Sequence, residues 1–289
     1  MSSTPGPDLV LAGTVDKAAD AILVGLETTA GDPRLIGDHF LGDAARDVLA
    51  GLVAVGATGR RDQVHRIPAP SSLPVASVVS VGLGGADDRS EDLVRAAAGT
   101  AARALTGIGH VSTTLAPAGL GAVAEGLVLG AYRFTEFTKP AEDDAPSLTR
   151  IDLLVDSPRD KQTKADLTRA VAVAEAVGVA RDLVNTPPSH LFPAEFAERA
   201  RTLGSAAGLS VEVLDERALE RGGAVVVSRQ GEGCDADAVE PLRDSMRARR
   251  TAAGVIAGDD GDLGDAHVTR FPSGAPASIL LMITVLNRR

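Results

Sequence analysis

The sequence predicts an α/β protein: an N-terminal mixed-sheet α/β domain, a long connector helix and an incomplete second α/β unit. Three observations predict it. Short apolar runs alternate with longer Ala-rich segments through residues 1–156, the rhythm of strands and the helices that cover them. Aromatic residues make up only 2% of the 289 residues and Trp is absent, so the core has to be built from Val, Leu, Ile and Ala. After Pro158, no Gly or Pro except Gly178 interrupts the chain as far as Asn185.

The elements follow in order. Ala21–Val24 reads as a strand, and 43–55 as a helix with Ala44, Val48, Leu52 and Val55 at three- and four-residue steps. The run 77–83 is a second strand, and Gly82-x-Gly84-Gly85 reads as the strand-to-helix turn that ends it. Ser90 followed by Glu91 and Asp92 places a hydroxyl cap and two acids at the positive end of a helix. The apolar face expected for that helix is Leu93, Ala97, Ala101 and Leu105. Val111–Leu115 and Ile151–Val155 are further strands, and 121–131 is a helix. Alternation in Tyr132-Arg133-Phe134 puts both aromatics on one face, and 142–146 is a polar loop.

The expected domain order is an N-terminal domain over 1–156, a connector helix over 157–188, the start of a second α/β unit over 189–223 and a divergent tail over 224–289. Pro158 stands at the first position of the connector helix, Pro187 and Pro188 end it, and its length is about 40 Å at 1.5 Å per residue. A helix over 193–203 and a strand over 210–214 follow. In the tail, 225–227 and 279–285 could form strands. The Gly-, Asp- and Arg-rich sequence between them has poor periodicity.

Composition narrows the function classes. Lys and Arg total 29 against 39 Asp and Glu, a formal net charge of −10, which opposes a nucleic-acid or anionic-membrane partner. One cysteine, Cys234, excludes an internal disulfide framework and suits a reducing cytoplasm. No basic leader precedes an apolar core at the start. The apolar run 277–286 falls short of the roughly 20 residues a bilayer-crossing helix needs.

The local motifs for chemistry are weak. Gly82, Gly84 and Gly85 do not fit the dinucleotide-binding spacing, and neither a phosphate-binding loop nor a Gly-x-Ser-x-Gly elbow occurs. His39, His65, His110, His190 and His267 are scattered without metal-ligand spacing. The acidic stretch from Asp259 to His267 fails the calcium-loop pattern, with Asp265 and Phe271 where Gly and Glu are required. Cys234 has no neighbouring base to activate it. Arg243 and Arg247–Arg250 lie beside Glu240 and Asp244, which reads as a solvated helix face. No catalytic, cofactor-binding or metal-binding residue is therefore assigned.

The run Val179-Ala180-Arg181-Asp182-Leu183-Val184-Asn185-Thr186-Pro187-Pro188, continuing through Ser189-His190-Leu191-Phe192-Pro193-Ala194-Glu195-Phe196-Ala197, resembles the interdomain segment of the leucyl (cytosol) aminopeptidases. Glu125-Gly126-Leu127-Val128-Leu129-Gly130-Ala131-Tyr132-Arg133-Phe134 is similar to a motif of that family's N-terminal domain. Val211–Glu216, running to Gly222-Gly223, resembles the opening of its catalytic domain. The resemblance spans roughly residues 20–223.

It implies a cytoplasmic metalloexopeptidase that removes N-terminal residues from peptides with two divalent cations, Zn²⁺ or Mn²⁺. The family's ligands are a Lys, several Asp and one Glu, drawn from a Gly-Lys-Gly segment leading into Phe-Asp-x-Gly-Gly and from Asn-Thr-Asp-Ala-Glu-Gly-Arg. Neither motif occurs in this sequence. The expectation is thus a chain that binds no metal pair and is inactive alone. The alternative is a non-enzymatic binding or assembly module that forms homo-oligomers or joins full-length subunits. For the tail, poor periodicity favours a truncated or frame-disrupted product over a genuinely different C-terminal segment.

Overall fold

The computed structural model describes residues 6–137, 148–214 and 282–286. The chain divides into two compact units, 1–185 and 186–289.

In the first unit the elements run β1 (Asp8–Ala12), β2 (Ala21–Thr29), β3 (Asp32–Ile36), α1 (Ala44–Ala54), β4 (Val64–Pro68), β5 (Ser77–Gly85), α2 (Glu91–Ala104), β6 (His110–Thr113), α3 (Leu120–Ala131), β7 (Arg150–Leu154) and α4 (Lys161–Asn185). Seven strands make one sheet in the order β1-β7-β6-β2-β5-β4, with β3 pairing β2 beyond the short β6. The β1–β7, β7–β6, β6–β2 and β2–β5 pairs are parallel, whereas β3 and β4 pair antiparallel. This is the mixed-sheet α/β domain expected.

Two apolar layers sandwich the sheet, because alternate strand residues point to opposite faces. One face carries Leu23, Val79, Val81, Val111, Ile151 and Leu153 against α2, α3 and Ala170 of α4. The other carries Ile22, Val24, Leu26 and Val78 against Val48 and Leu52 of α1. The Ser90 hydroxyl caps α2 as expected, accepting from the Leu93 amide at 3.4 Å. The buried face of α2 is turned by one residue, with Val94, Ala97, Ala98 and Ala101 inside and Leu93 only partly covered.

Helices α2 and α3 cross at glycines. A Cβ on Gly126 would lie 2.3 Å from the Arg95 carbonyl oxygen, and one on Gly130 would lie 2.4 Å from that of Gly99. Beside this crossing Arg95 Nε donates to Glu125 at 2.6 Å. That hydrogen bond holds the Arg95 pKa above its ordinary value.

Three expectations are corrected. Gly82, Gly84 and Gly85 form no turn but lie within β5. There the Gly82 and Gly84 amides donate to the carbonyls of Gln63 and Gly59 at 2.9 and 2.8 Å. A Cβ on Gly82 would stand 1.8 Å from the Arg60 carbonyl oxygen, so these glycines admit a neighbouring loop. The long helix begins at Lys161 rather than at Pro158, and Asp160 Oδ2 accepts from the Thr163 amide at 2.8 Å. Tyr132 and Phe134, expected on one face by alternation, take different partners: Tyr132 ends α3 and bonds to Asp182, and Phe134 packs on Phe137 with ring centroids 5.9 Å apart.

The second unit contains α5 (Pro193–Ala206), β8 (Ser210–Leu214) and β9 (Met282–Leu286), the two strands pairing antiparallel. The expected strand over 279–285 corresponds to β9. Val225–Val227 lies outside the described residues.

Candidate functional site

Four of the side chains of β6 and β7 that face away from the α2–α3 layer are polar. His110 and Ser112 on β6 stand in register with Arg150 and Asp152 on β7. Val111 and Ile151, between them, belong to the opposite apolar layer. The loop between β1 and β2 lies along this polar strip. Asp20 Oδ2 accepts from the Gly109 and His110 amides at 3.0 and 2.9 Å, and the Asp16 amide donates to Ser112 Oγ at 3.2 Å.

Asp152 is the centre of the strip, only 1% exposed. Its Oδ2 meets His110 Nε2 at 2.6 Å and accepts from Ser112 Oγ at 3.4 Å. Its Oδ1 accepts from Arg150 Nε at 3.0 Å. Arg150 Nη2 also lies 3.7 Å from Asp16 Oδ2. The hydrogen bond to Asp152 raises the Arg150 pKa, so the guanidinium stays charged and balances the buried carboxylate. Asp16, His110 and Asp152 bring one ligand atom each within 4.8 Å of one another.

A second polar group joins α3 to α4. Tyr132 Oη donates to Asp182 Oδ1 at 2.7 Å and accepts from Asn185 Nδ2 at 3.2 Å. Arg181 donates to the Leu129 carbonyl at 2.9 Å, and its guanidinium carbon lies 5.3 Å from the Tyr132 ring centroid. Burial, followed by the bond to Asp182, pushes the Tyr132 phenol up.

Of the histidines singled out in the sequence, His110 alone enters the Asp16–Asp152 cluster. His39 pairs with Asp156 at 3.0 Å at the surface, His65 lies on β4, and His190 is exposed in the turn before α5. His267, Cys234, the Asp259–Asp265 stretch and Arg243–Arg250 lie outside the described residues. Sequence reasoning missed Asp16 and Asp152. The one signal for Asp152 is a carboxylate set between Ile151 and Leu153 in a strand otherwise apolar.

The profile described as the cytosol aminopeptidase family, N-terminal domain, matches residues 42–140. A probable cytosol aminopeptidase of Rhodococcus erythropolis is 56% identical over 226 residues, covering 75% of this chain and 44% of that protein. The chain carries the N-terminal portion of the cytosol (leucyl) aminopeptidase family. Among solved structures, the bottromycin maturation enzyme BotP aligns with a TM-score of 0.55 at 30% identity, covering 71% of this chain and 41% of BotP. BotP has also been solved in complex with Mn. A tomato leucine aminopeptidase variant, 19% identical, shares the fold with a TM-score of 0.59 over 76% of this chain and 47% of its own. The chain thus spans less than half the length of these cytosol aminopeptidase relatives. No helix among the described residues is long and apolar enough to cross a membrane.

The Asp16–His110–Asp152 cluster does not fit the metal pair of the aminopeptidases. That pair is held by a lysine with several carboxylates, whereas this cluster has an imidazole and, as its basic neighbour, an arginine already bonded to Asp152. No hydrolytic step is derived from it.

Proposed function

We propose that this chain is the N-terminal module of a cytoplasmic, aminopeptidase-type peptide hydrolase and hydrolyses no peptide by itself. One observation carries the reading: similarity to the Rhodococcus relative covers 44% of that protein, and neither motif that supplies the family's metal ligands occurs in the 289 residues. The two-cation chemistry, Zn²⁺ or Mn²⁺, and the peptide substrate then belong to whatever supplies those motifs. The domain limits that go with this reading are 1–156, 157–188 and 189–223, with 224–289 as a divergent segment. Nucleic acid is not a partner on this reading, in keeping with the net charge of −10.

A second reading, an assembly module that associates with itself or with full-length family subunits, is favoured by the surface of α4. Leu167, Ala170 and Ala174 of α4 serve the core, while Val173, Val177 and Val184 are 44%, 36% and 84% exposed. With exposed Ala180 they follow four-, three- and four-residue steps, a second apolar stripe about a quarter-turn from the first.

Hydrolysis of leucine p-nitroanilide with added Mn²⁺ or Zn²⁺ tests the first reading. No turnover by the purified chain is expected, and metal-dependent turnover overturns it. Light scattering after size exclusion, with and without a full-length relative, tests the second. A heteromeric or homomeric species supports it, and a solitary chain in both runs sinks it.

A further inference from the structure

We propose that Asp16, His110 and Asp152 form a mononuclear site for a borderline divalent cation of the Zn²⁺ class. The donor set is one imidazole nitrogen and two carboxylate oxygens, which suits Zn²⁺ over the all-oxygen preference of Mg²⁺ or Ca²⁺. The ligands are one ring nitrogen of His110 and one carboxylate oxygen each of Asp152 and Asp16, with water completing the shell.

The three already lie within 4.8 Å of one another. Ligand bonds of about 2.0–2.2 Å require ligand atoms a little over 3 Å apart. The 2.6 Å His110–Asp152 contact therefore opens slightly, and the Asp16 carboxylate, on a loop and half-exposed, closes in.

The surroundings hold the donors in place. Asp152 is fixed by its strand and by Arg150, which binds Oδ1 and leaves Oδ2 turned toward His110. A partner on the far oxygen orients a ligating carboxylate in this way. Asp16 Oδ1 accepts from the Ala18 amide at 2.9 Å, and Asp16 Oδ2 faces Arg150 Nη2 at 3.7 Å. Arg150 keeps the other oxygen of Asp152, while its 3.7 Å contact with Asp16 Oδ2 is given up as that carboxylate turns to the cation.

The test uses the full chain, stripped with a chelator and desalted, titrated with Zn²⁺ against a chromophoric competitor. One equivalent bound with micromolar affinity or tighter is expected. His110→Ala is expected to weaken this equivalent by roughly tenfold or more. Asp16→Asn removes one ligand at a half-exposed loop position and is the second variant should His110→Ala fail to fold. Cys234→Ser and His267→Ala are expected to keep the wild-type equivalent. Absence of a stoichiometric equivalent overturns the proposal. So does undiminished binding by a folded His110→Ala or Asp16→Asn, or loss of the equivalent in Cys234→Ser or His267→Ala. None of these readouts is enzymatic, so the outcome is independent of whether the chain hydrolyses peptides.

Discussion

The Tyr132 hydroxyl donates a 2.7 Å hydrogen bond to Asp182, tying the end of α3 to the last turns of α4. The two residues belong to the two stretches that most resemble the aminopeptidase family, 125–134 and 179–197. Arg181 and Asn185, from the second stretch, close on the same tyrosine and on the Leu129 carbonyl. Within the first unit these family residues bond to one another across α3 and α4. They fasten the connector helix to the sheet domain.

Tyr132→Phe removes a donor to Asp182 and an acceptor for Asn185 while keeping the ring under Arg181. The expected cost is about 1 kcal/mol, the net worth of a hydrogen bond of this kind, read as a lower thermal midpoint. A pH signature goes with it. The folded-state phenol pKa is raised by burial and by Asp182. A raised pKa contributes stability that is fully present below the unfolded value of about 10 and is lost as pH rises through the folded value. The wild type is therefore expected to lose stability on the alkaline side more steeply than Tyr132→Phe. Parallel alkaline limbs would refute this.

The α2–α3 crossing allows a sharper comparison. Gly130→Ala sets a methyl 2.4 Å from the Gly99 carbonyl oxygen and 2.7 Å from its Cα, and backbone cannot rotate aside as a side chain does. A loss of about 1–3 kcal/mol or more is expected. Gly178→Ala, inside α4 with nothing within 4 Å of the added methyl, is expected to gain about 0.5–1 kcal/mol through helix propensity. Opposite signs for the same chemical change, measured by urea denaturation, would place the cause in the crossing.

Legibility in the sequence followed burial. Ile22 to Val24 and Val78 to Val81 are covered on both faces, so they are written as runs apolar but for Ser80 and are readable as strands. By contrast β1, β3 and β4 carry Asp8, Pro33, Arg34, Arg66 and Pro68. They are strands only because β7, β2 and β5 offer partners, information that lies far away in the chain. The start of α4 was misplaced because Pro158 fits a first helical position equally well, whereas the Asp160 carboxylate bond sets the start three residues later. The Asp16–His110–Asp152 cluster was hidden for the same reason as the weak strands. His110 and Asp152 are 42 residues apart, and the β6–β7 pairing that joins them has no local spacing. The Gly82–Gly85 run was legible as a need for backbone room, but not as room for a loop.

Asp160 offers an acid-side prediction. The Thr163 amide and hydroxyl bonds hold its carboxyl below the ordinary carboxylate range. A depressed folded pKa contributes stability above the unfolded value of about 3.9 that is lost as pH falls through the folded one. Asp160→Ala is expected to lower the thermal midpoint at neutral pH and to flatten its fall on acidification. Asp160→Asn retains an acceptor for the Thr163 amide and is expected to keep most of the neutral-pH midpoint while losing the acid dependence. Equal neutral-pH losses in both variants would show that charge, rather than the cap hydrogen bond, holds this helix end.

The exposed stripe of α4 decides between a solitary module and an assembling one. Val177 sits mid-stripe and well exposed, so Val177→Glu costs the fold of the monomer little, within about 0.5 kcal/mol. In an interface the same change would bury a charge against Val173, Ala180 and Val184 or their counterparts. That cost is several kcal/mol unless the charge finds a partner. If α4 is where the chain meets a second copy or a full-length subunit, Val177→Glu abolishes the complex seen by light scattering while the circular-dichroism melt stays at the wild-type midpoint. Should a complex form and survive Val177→Glu unchanged, the interface lies elsewhere on the chain, and the valines of α4 are solvent-facing positions of a helix held only by its inner stripe and by Tyr132.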